Sequence, residues 1–480
     1  MRKSGILMPI ASLPSKQGIG DFGASAYEFA QLIKKSGFKL WQILPLNALG
    51  YGNSPYQCYS SKAMDELYIN LDMLCDDGLL AGVEEFQDDS TSIQYDEVRV
   101  FKNKYLKEAY SNFKPNDEYE LFLKNNTWVR RYALFVTLKK QNKMLCWNEW
   151  DIELRNPDLI KDEIINQYKD EIEYECFIQY LLLKQWNALR EYVNGLGIEI
   201  MGDIPFYVGL DSDDVWSNQN QFLLDEEGHP TFVAGVPPDY FSEVGQRWGN
   251  PIYNWELMEQ EAFAFWMDRL EYTSTLFDVV RIDHFRAFDT YWKIPSTCPT
   301  AIEGEWIEAP GYNFFDTLYR NYPDMKIVAE DLGMMRPEVY DLRDHYNLMG
   351  MRIVQYSWNS RHMSQDRENL LIYTGTHDNE PMRSWFGNMS REEKIKSRQY
   401  LRRHGFKQPR IIDSFIEYTL ASNARIAILS MVDILNCKID CRINAPGTVG
   451  SPNWEWKMKN HDEFRLRIPT IKRQIQRTKR

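Results

Sequence analysis

The stretch Val279-Val280-Arg281-Ile282-Asp283-His284-Phe285-Arg286 decides how this chain is read. Its first half is apolar and β-branched, as in a strand buried within a sheet, and it stops abruptly at an acid set among two arginines and a histidine. In α/β sheets and barrels the carboxyl ends of strands carry reacting groups, so Asp283 is the first candidate for a reacting carboxylate. Taken alone, the octapeptide would more often be a salt-bridged strand terminus. Its surroundings decide between the two.

Working outward, three more apolar runs end in acids. Residues 197–206 carry Asp203, 325–331 end in Glu330-Asp331, and 370–379 run into His377-Asp378-Asn379. Runs 6–9 and 40–46 read as strands around a helix over 24–36 that stops at Gly37, which makes a βαβ unit. Residues 351–356 read as a strand without a terminal acid, and helical segments fill the gaps. Repeated strand–helix units with acids at successive carboxyl ends predict a parallel (β/α)₈ barrel, the acids converging on one mouth. Residues 60–175 show helical periodicity, as at 96–110 and 119–142, and read as an inserted helical subdomain; helical spacing resumes over 176–193. Residues 207–275 read as an inserted loop-and-helix subdomain covering the mouth. At 480 residues the chain could hold about three average domains, but barrels with insertions reach this length as one, and 1–480 is read as a single elaborated catalytic domain.

Composition narrows the function. A net charge of −13 argues against nucleic acid as partner, since phosphate backbones demand concentrated Lys and Arg. No apolar run approaches the ~18 residues of a membrane span, and the apolar stretch 6–11 is too short and too Pro-broken for a signal peptide, so a cytoplasmic location is expected. Seven cysteines, an odd number, read as reduced thiols, and Cys437 and Cys441 lack the second pair that zinc would need. The run Asp211-Ser212-Asp213-Asp214 lacks the glycine and terminal Glu of a calcium loop and reads as a solvated loop. No metal and no cofactor are expected. The basic tail 472–480 reads as a solvated last helix turn.

Converging carboxylates suit one chemistry in particular. A retaining glycosidase works with one carboxyl kept protonated as general acid and one ionised as nucleophile. Arg281 suits the ionised partner, Asp283, while a negative neighbour and partial burial would raise the pKa of Glu330. His377 and Asp378 could grip sugar hydroxyls, and Asp203 could support the pocket. The glycine-rich, aromatic loop 47–56 has no lysine placed to bind phosphate and reads as sugar-facing. Tyr51, Tyr56, Tyr240, Phe241 and Trp248 offer flat faces on which glucose rings could stack.

The set Arg281-Ile282-Asp283-His284-Phe285-Arg286, Ala329-Glu330-Asp331-Leu332-Gly333 and Gly375-Thr376-His377-Asp378-Asn379 resembles the 4-α-glucanotransferase family of the α-amylase clan, whose members are also called amylomaltases or disproportionating enzymes. Further agreement lies in Gly52-Asn53-Ser54-Pro55-Tyr56, Gly202-Asp203-Ile204-Pro205, Gly235-Val236-Pro237-Pro238-Asp239-Tyr240-Phe241, Trp248-Gly249-Asn250-Pro251 and Asn444-Ala445-Pro446-Gly447-Thr448, so that the likeness spans residues 6–457. It implies Asp283 as nucleophile, Glu330 as acid/base and Asp378 as the acid that holds ring hydroxyls in the transition state. It also implies a donor subsite lined by Arg281, His377 and Asp203, a loop over Pro237–Phe241 that covers bound glucan, and Ser54, Asp239 and Asn444 among the substrate contacts. The expected substrates are malto-oligosaccharides and α-1,4-glucans. The segment from Tyr56 to Asp65 departs from the family pattern, and Ala309 stands where glycine is usual; neither is a catalytic position. An α-glucan hydrolase of the same clan and a non-catalytic glycan-binding barrel are the alternatives.

Overall fold

The architecture is that of a computed structural model, which describes residues 2–88, 90–238, 242–359 and 365–480, with Tyr51 described by its backbone alone. Asp239, Tyr240 and Phe241, expected over the mouth, lie outside the described residues. Twelve strands are present among those described: β1 (Lys3–Leu7), β2 (Leu40–Gln42), β3 (Glu199–Ile204), β4 (Phe232–Val236), β5 (Gln246–Pro251), β6 (Val279–Ile282), β7 (Thr290–Pro295), β8 (Glu305–Glu308), β9 (Ile327–Ala329), β10 (Gly350–Ile353), β11 (Leu370–Tyr373) and β12 (Ile426–Ser430).

Eight of them form one parallel sheet in the order β10-β11-β12-β1-β2-β3-β6-β9. A parallel bridge between Val328 and Met349, with the Ala329 amide donating to the Met349 carbonyl at 2.8 Å, joins the two ends and closes the (β/α)₈ barrel. The barrel strands are buried almost throughout, as parallel strands covered on both faces must be. On β3, the residue before Asp203 is glycine because a Cβ there would come within 2.2 Å of the Phe277 ring.

The helix predicted over 24–36 is observed as Ala24–Ser36, ended by Gly37 at φ 93°. The segment 60–175 is helical, with helices at Leu71–Asp76, Tyr95–Asn112, Asp117–Asn125, Trp128–Gln141 and Asp162–Gln167. The helix expected over 119–142 is two helices parted at Asn126-Thr127, and the one expected over 176–193 is the inner part of a 27-residue helix, Lys169–Gly195. One continuous hydrophobic core takes in barrel residues such as Ile6, Leu40 and Val280 together with Leu106, Phe135 and Phe177 of these helices.

Three expectations need correction. Residues 207–275 are not loop and helix alone: β4 and β5 lie there and join β7 and β8 in a four-stranded antiparallel sheet, β5-β4-β7-β8. Gly235, Gly249 and Pro237-Pro238 interrupt the alternation that marks a strand, which is why it read as irregular. The Asp211–Asp214 run is a helix start rather than a solvated loop: the Ser212 side chain caps Asp213–Ser217, Asp214 is buried and accepts from the Ser61 amide at 2.7 Å, and Asp211 pairs with buried Lys139 at 2.5 Å. The tail is only partly solvated. Ile471 and Ile475 of the helix Asp462–Arg477 are buried, and Arg480 donates to the carbonyls of Lys3, Leu420 and Ser422 beside β1. No helix of the described residues is long and apolar enough to cross a membrane.

Candidate active site

The site is built from the carboxyl ends of neighbouring barrel strands. Asp203 lies near the end of β3, Arg281 lies within β6 and Asp283 just after it, and Glu330 follows β9 directly. His377 and Asp378 stand on the turn after β11, and Asn444 on the loop beyond β12. Tyr56 is brought in by the loop after β2. Asp283, Glu330, His377 and Asp378 follow the end of the hydrogen-bonded ladder, whereas Asp203 and Arg281 face each other within its last pairs of register.

Arg281 organises one wall. Its Nη1 donates to both oxygens of Asp203, at 2.6 and 2.7 Å, and its Nη2 donates to Asp283 Oδ1 at 2.9 Å. The Tyr56 hydroxyl donates to Asp203 Oδ2 at 2.9 Å, so Asp203 has three polar contacts in a fully buried position. Burial works against the Arg281 charge, but Asp203 and Asp283 together hold its pKa well above the usual value. Asp203 feels the same burial, which pushes its carboxyl up against the pull of Arg281. The Asp283 side chain remains 35% exposed, open to the mouth.

Glu330 lives differently. Its two oxygens accept backbone N–H bonds from His284 at 2.9 Å and from Leu332 at 3.1 Å, and no cationic side chain bonds to it among the described residues. Desolvation, reinforced by the negative charge of Asp283, pushes its pKa up to about 8, with Arg281 and the His284 amide opposing the rise. A carboxyl in that state carries a proton at neutral pH and can give it up.

Asp378 is held at both its side chain and its backbone. Asn444 Nδ2 donates to its Oδ1 at 2.6 Å, Arg442 Nη2 donates to its backbone carbonyl at 2.9 Å, and His377 Nε2 lies 3.5 Å from its Oδ2. The His377 ring is buried and stacked on Tyr56, with centroids 5.2 Å apart and planes 16° from parallel, and Trp454 packs against both. Arg442 and Trp454 were not anticipated from the sequence. Their proximity to the Asn444-Ala445-Pro446 motif was the available signal.

Of the other expected contacts, half-buried Ser54 accepts from the Tyr56 amide at its Oγ, at 3.3 Å. Pro237 is half-buried at the end of β4. Trp248, expected as a sugar platform, is half-buried with its ring at right angles to that of His284, the centroids 4.8 Å apart. In the departing segment beyond Tyr56, Cys58 is buried and Ser61 is bound to Asp214. All seven cysteines are free thiols.

The family model for 4-alpha-glucanotransferase matches residues 8–462. The 4-alpha-glucanotransferase of Aquifex aeolicus is 39% identical over 468 residues, covering 96% of both chains, and that of Thermus thermophilus is 38% identical over 475 residues, covering 95% of both. Among solved structures, the amylomaltase of Streptococcus agalactiae in complex with acarbose superposes with a TM-score of 0.94 at 34% identity over the whole of both chains. Neither a plain hydrolase nor a non-catalytic barrel is favoured by this agreement of fold, site and full-length sequence. The chain belongs to the 4-alpha-glucanotransferase family.

Proposed function

We propose that the chain moves segments of α-1,4-glucan from a donor malto-oligosaccharide to the 4-hydroxyl of an acceptor glucan or glucose by retaining double displacement. Asp283 attacks the anomeric carbon while Glu330 gives its proton to the departing glycosidic oxygen, leaving a glycosyl ester on Asp283 and a free 4-hydroxyl on the leaving sugar. Glu330, now ionised, takes the proton of an incoming 4-hydroxyl as that oxygen displaces Asp283. Asp378, set in place by Asn444, binds ring hydroxyls as the sugar flattens, and His377 and Tyr56 form the face against which the donor ring lies.

The observation that carries this reading is the pairing of a desolvated carboxyl pushed up to about 8 with a neighbouring carboxylate bonded to Arg281. Transfer rather than hydrolysis requires a sugar hydroxyl to outcompete water at ~55 M, which positioning can do because a held nucleophile gains up to ~7–11 kcal/mol from orientation. The test is the product pattern from pure maltotriose. Glucose plus a ladder of longer oligosaccharides, at nearly constant total reducing ends, is expected. A rise in reducing ends equal to the glucose released would mean hydrolysis.

A further inference from the structure

The turn over 375–381, which carries His377 and Asp378, is anchored at both ends by β12 and the short helix that follows it. At its entry, the Thr374 amide donates to the Ile428 carbonyl at 3.2 Å and the Thr374 hydroxyl accepts from the Ser430 amide at 3.2 Å, so β12 still holds the chain after β11 has ended. At its exit, the Met382 amide donates to Asp433 Oδ1 at 2.6 Å. Met382 opens the helix Met382–Asn388, so its N–H is one of those that a helix start leaves without an intrahelical partner, and Pro381 before it offers no side-chain cap. Asp433 supplies the missing acceptor from the helix Met431–Ile434, directly after β12.

An acid in this place needs a reason. Asp433 is 2% exposed, and no cationic side chain pairs with it among the described residues. Burial pushes its carboxyl up to about 6, against the pull of the Thr374 hydroxyl and the Met382 amide. A buried carboxylate without a cation is costly, and the groups that offset the cost here stand at the two ends of the Asp378 turn. The tip of the turn is held separately. Asn379 Oδ1 accepts from the Thr376 amide at 2.8 Å, Gln355 Nε2 donates to the Glu380 carbonyl at 2.7 Å, and the Asn444 amide donates to the His377 carbonyl at 3.1 Å.

We propose that Asp433 is a positioning residue whose buried carboxylate fixes the exit of this turn and thereby the placement of Asp378. The inference rests on the reading of Asp378 as the acid that binds ring hydroxyls in the transition state. Asp433 acts through Asp378 and touches no substrate. Without the acceptor, the Met382 N–H is buried and unpaired, and the helix start must shift to find another partner, taking with it the chain that carries Asp378 just upstream. Misplacement by about 1 Å can cost about 10²-fold in a reacting site, and the grip of Gln355, Asn379 and Asn444 on the tip limits the expected loss to about tenfold. The loss falls on kcat, because Asp378 binds most tightly as the sugar flattens.

The test is a double-mutant cycle with Asp378, read as kcat and KM on maltotriose and as the midpoint of denaturant unfolding. Asp433→Ala is expected to lower kcat about tenfold with KM changed less than about threefold. Asp433→Asn keeps an acceptor oxygen for the Met382 amide and is expected to hold kcat within about threefold of the parent. In an Asp378→Asn background, Asp433→Ala should cost less than about twofold more, because the group it positions is already disabled. A role in stability alone would lower the midpoint and cut the rate by the same factor in both backgrounds; that outcome overturns the proposal, as does an asparagine variant that loses as much as alanine. Should the alanine variant not fold, Asp433→Leu, which fills the space without offering an acceptor, takes its place in the cycle. Asp378→Asn alone separates the two failures: near-parental kcat there ends the reading of Asp378, whereas its collapse there, with Asp433→Ala still at the parental rate, ends only the positioning role.

Discussion

The carboxyl ends of β6 and β9 lie side by side in the barrel and treat their carboxylates in opposite ways. Asp283 faces a guanidinium and opens to the mouth; Glu330, one strand away, has two backbone amides as its hydrogen-bond donors among the described residues, and a desolvating shell. The same functional group is thus given two surroundings, an ion pair at Asp283 and a desolvated site at Glu330 that pushes the carboxyl up to about 8. Arg281 is the pivot of the difference, because it spends its hydrogen bonds on Asp203 and Asp283 and none on Glu330. What separates the two surroundings is the direction of one buried side chain.

The comparison is broken most severely at Asp283. Asp283→Asn should lower turnover of maltotriose by about 10⁵-fold or more while the folded state persists, because no other described carboxylate stands where it does; steady-state rates with circular dichroism check both halves. Near-parental turnover would remove Asp283 from the role of nucleophile. Glu330→Gln should cost about 10²–10⁴-fold on maltotriose but far less on glycosyl fluorides, whose leaving group needs no proton. An equal loss on both donors would show that Glu330 supplies something other than the proton.

Arg281→Met sharpens the comparison from the side of stability. Both partners of the Arg281–Asp203 pair are almost wholly buried, so truncating the cation leaves Asp203 charged and unpaired, at a cost of about 3–5 kcal/mol in denaturant unfolding. The companion Arg281→Met, Asp203→Leu variant should recover most of that stability without recovering activity. If the double variant is no more stable than the single one, the cost lies in packing and not in the stranded charge.

How much of this was legible in the sequence depends on what each residue announces locally. Strands β3, β6, β9 and β11 could be read because an apolar run ending in acid is a local pattern. β12, Ile426–Ser430, could not: it ends in serine and passes at once into the helix Met431–Ile434, so nothing marks its carboxyl end. The antiparallel sheet β5-β4-β7-β8 hid behind its glycines and prolines. In the site, Asp283, Glu330 and Asp378 were readable as acids after strands, and Tyr56 as an aromatic of the glycine-rich loop. That its hydroxyl reaches Asp203, 147 positions away, is a fact of barrel closure. The left-handed turn at His284, φ 51°, is likewise silent, since histidine carries no mark of the backbone it is asked to adopt.

Closure of the barrel gives the neighbour of Glu330 a meaning of its own. Strand pairs elsewhere are laced by three to five residue pairs, as at β1–β12 and β6–β9, whereas β9 and β10 meet in one bridge. There the lacing is supplemented by a side chain: the Asp331 carboxylate accepts from the Met351 amide at 2.6 Å and pairs with Arg343. The barrel is a hoop, and Asp331 is its clasp. Of two consecutive acids in one motif, the first stands in the candidate site and the second holds the ring shut, so that slackening the fastening would displace Glu330 beside it.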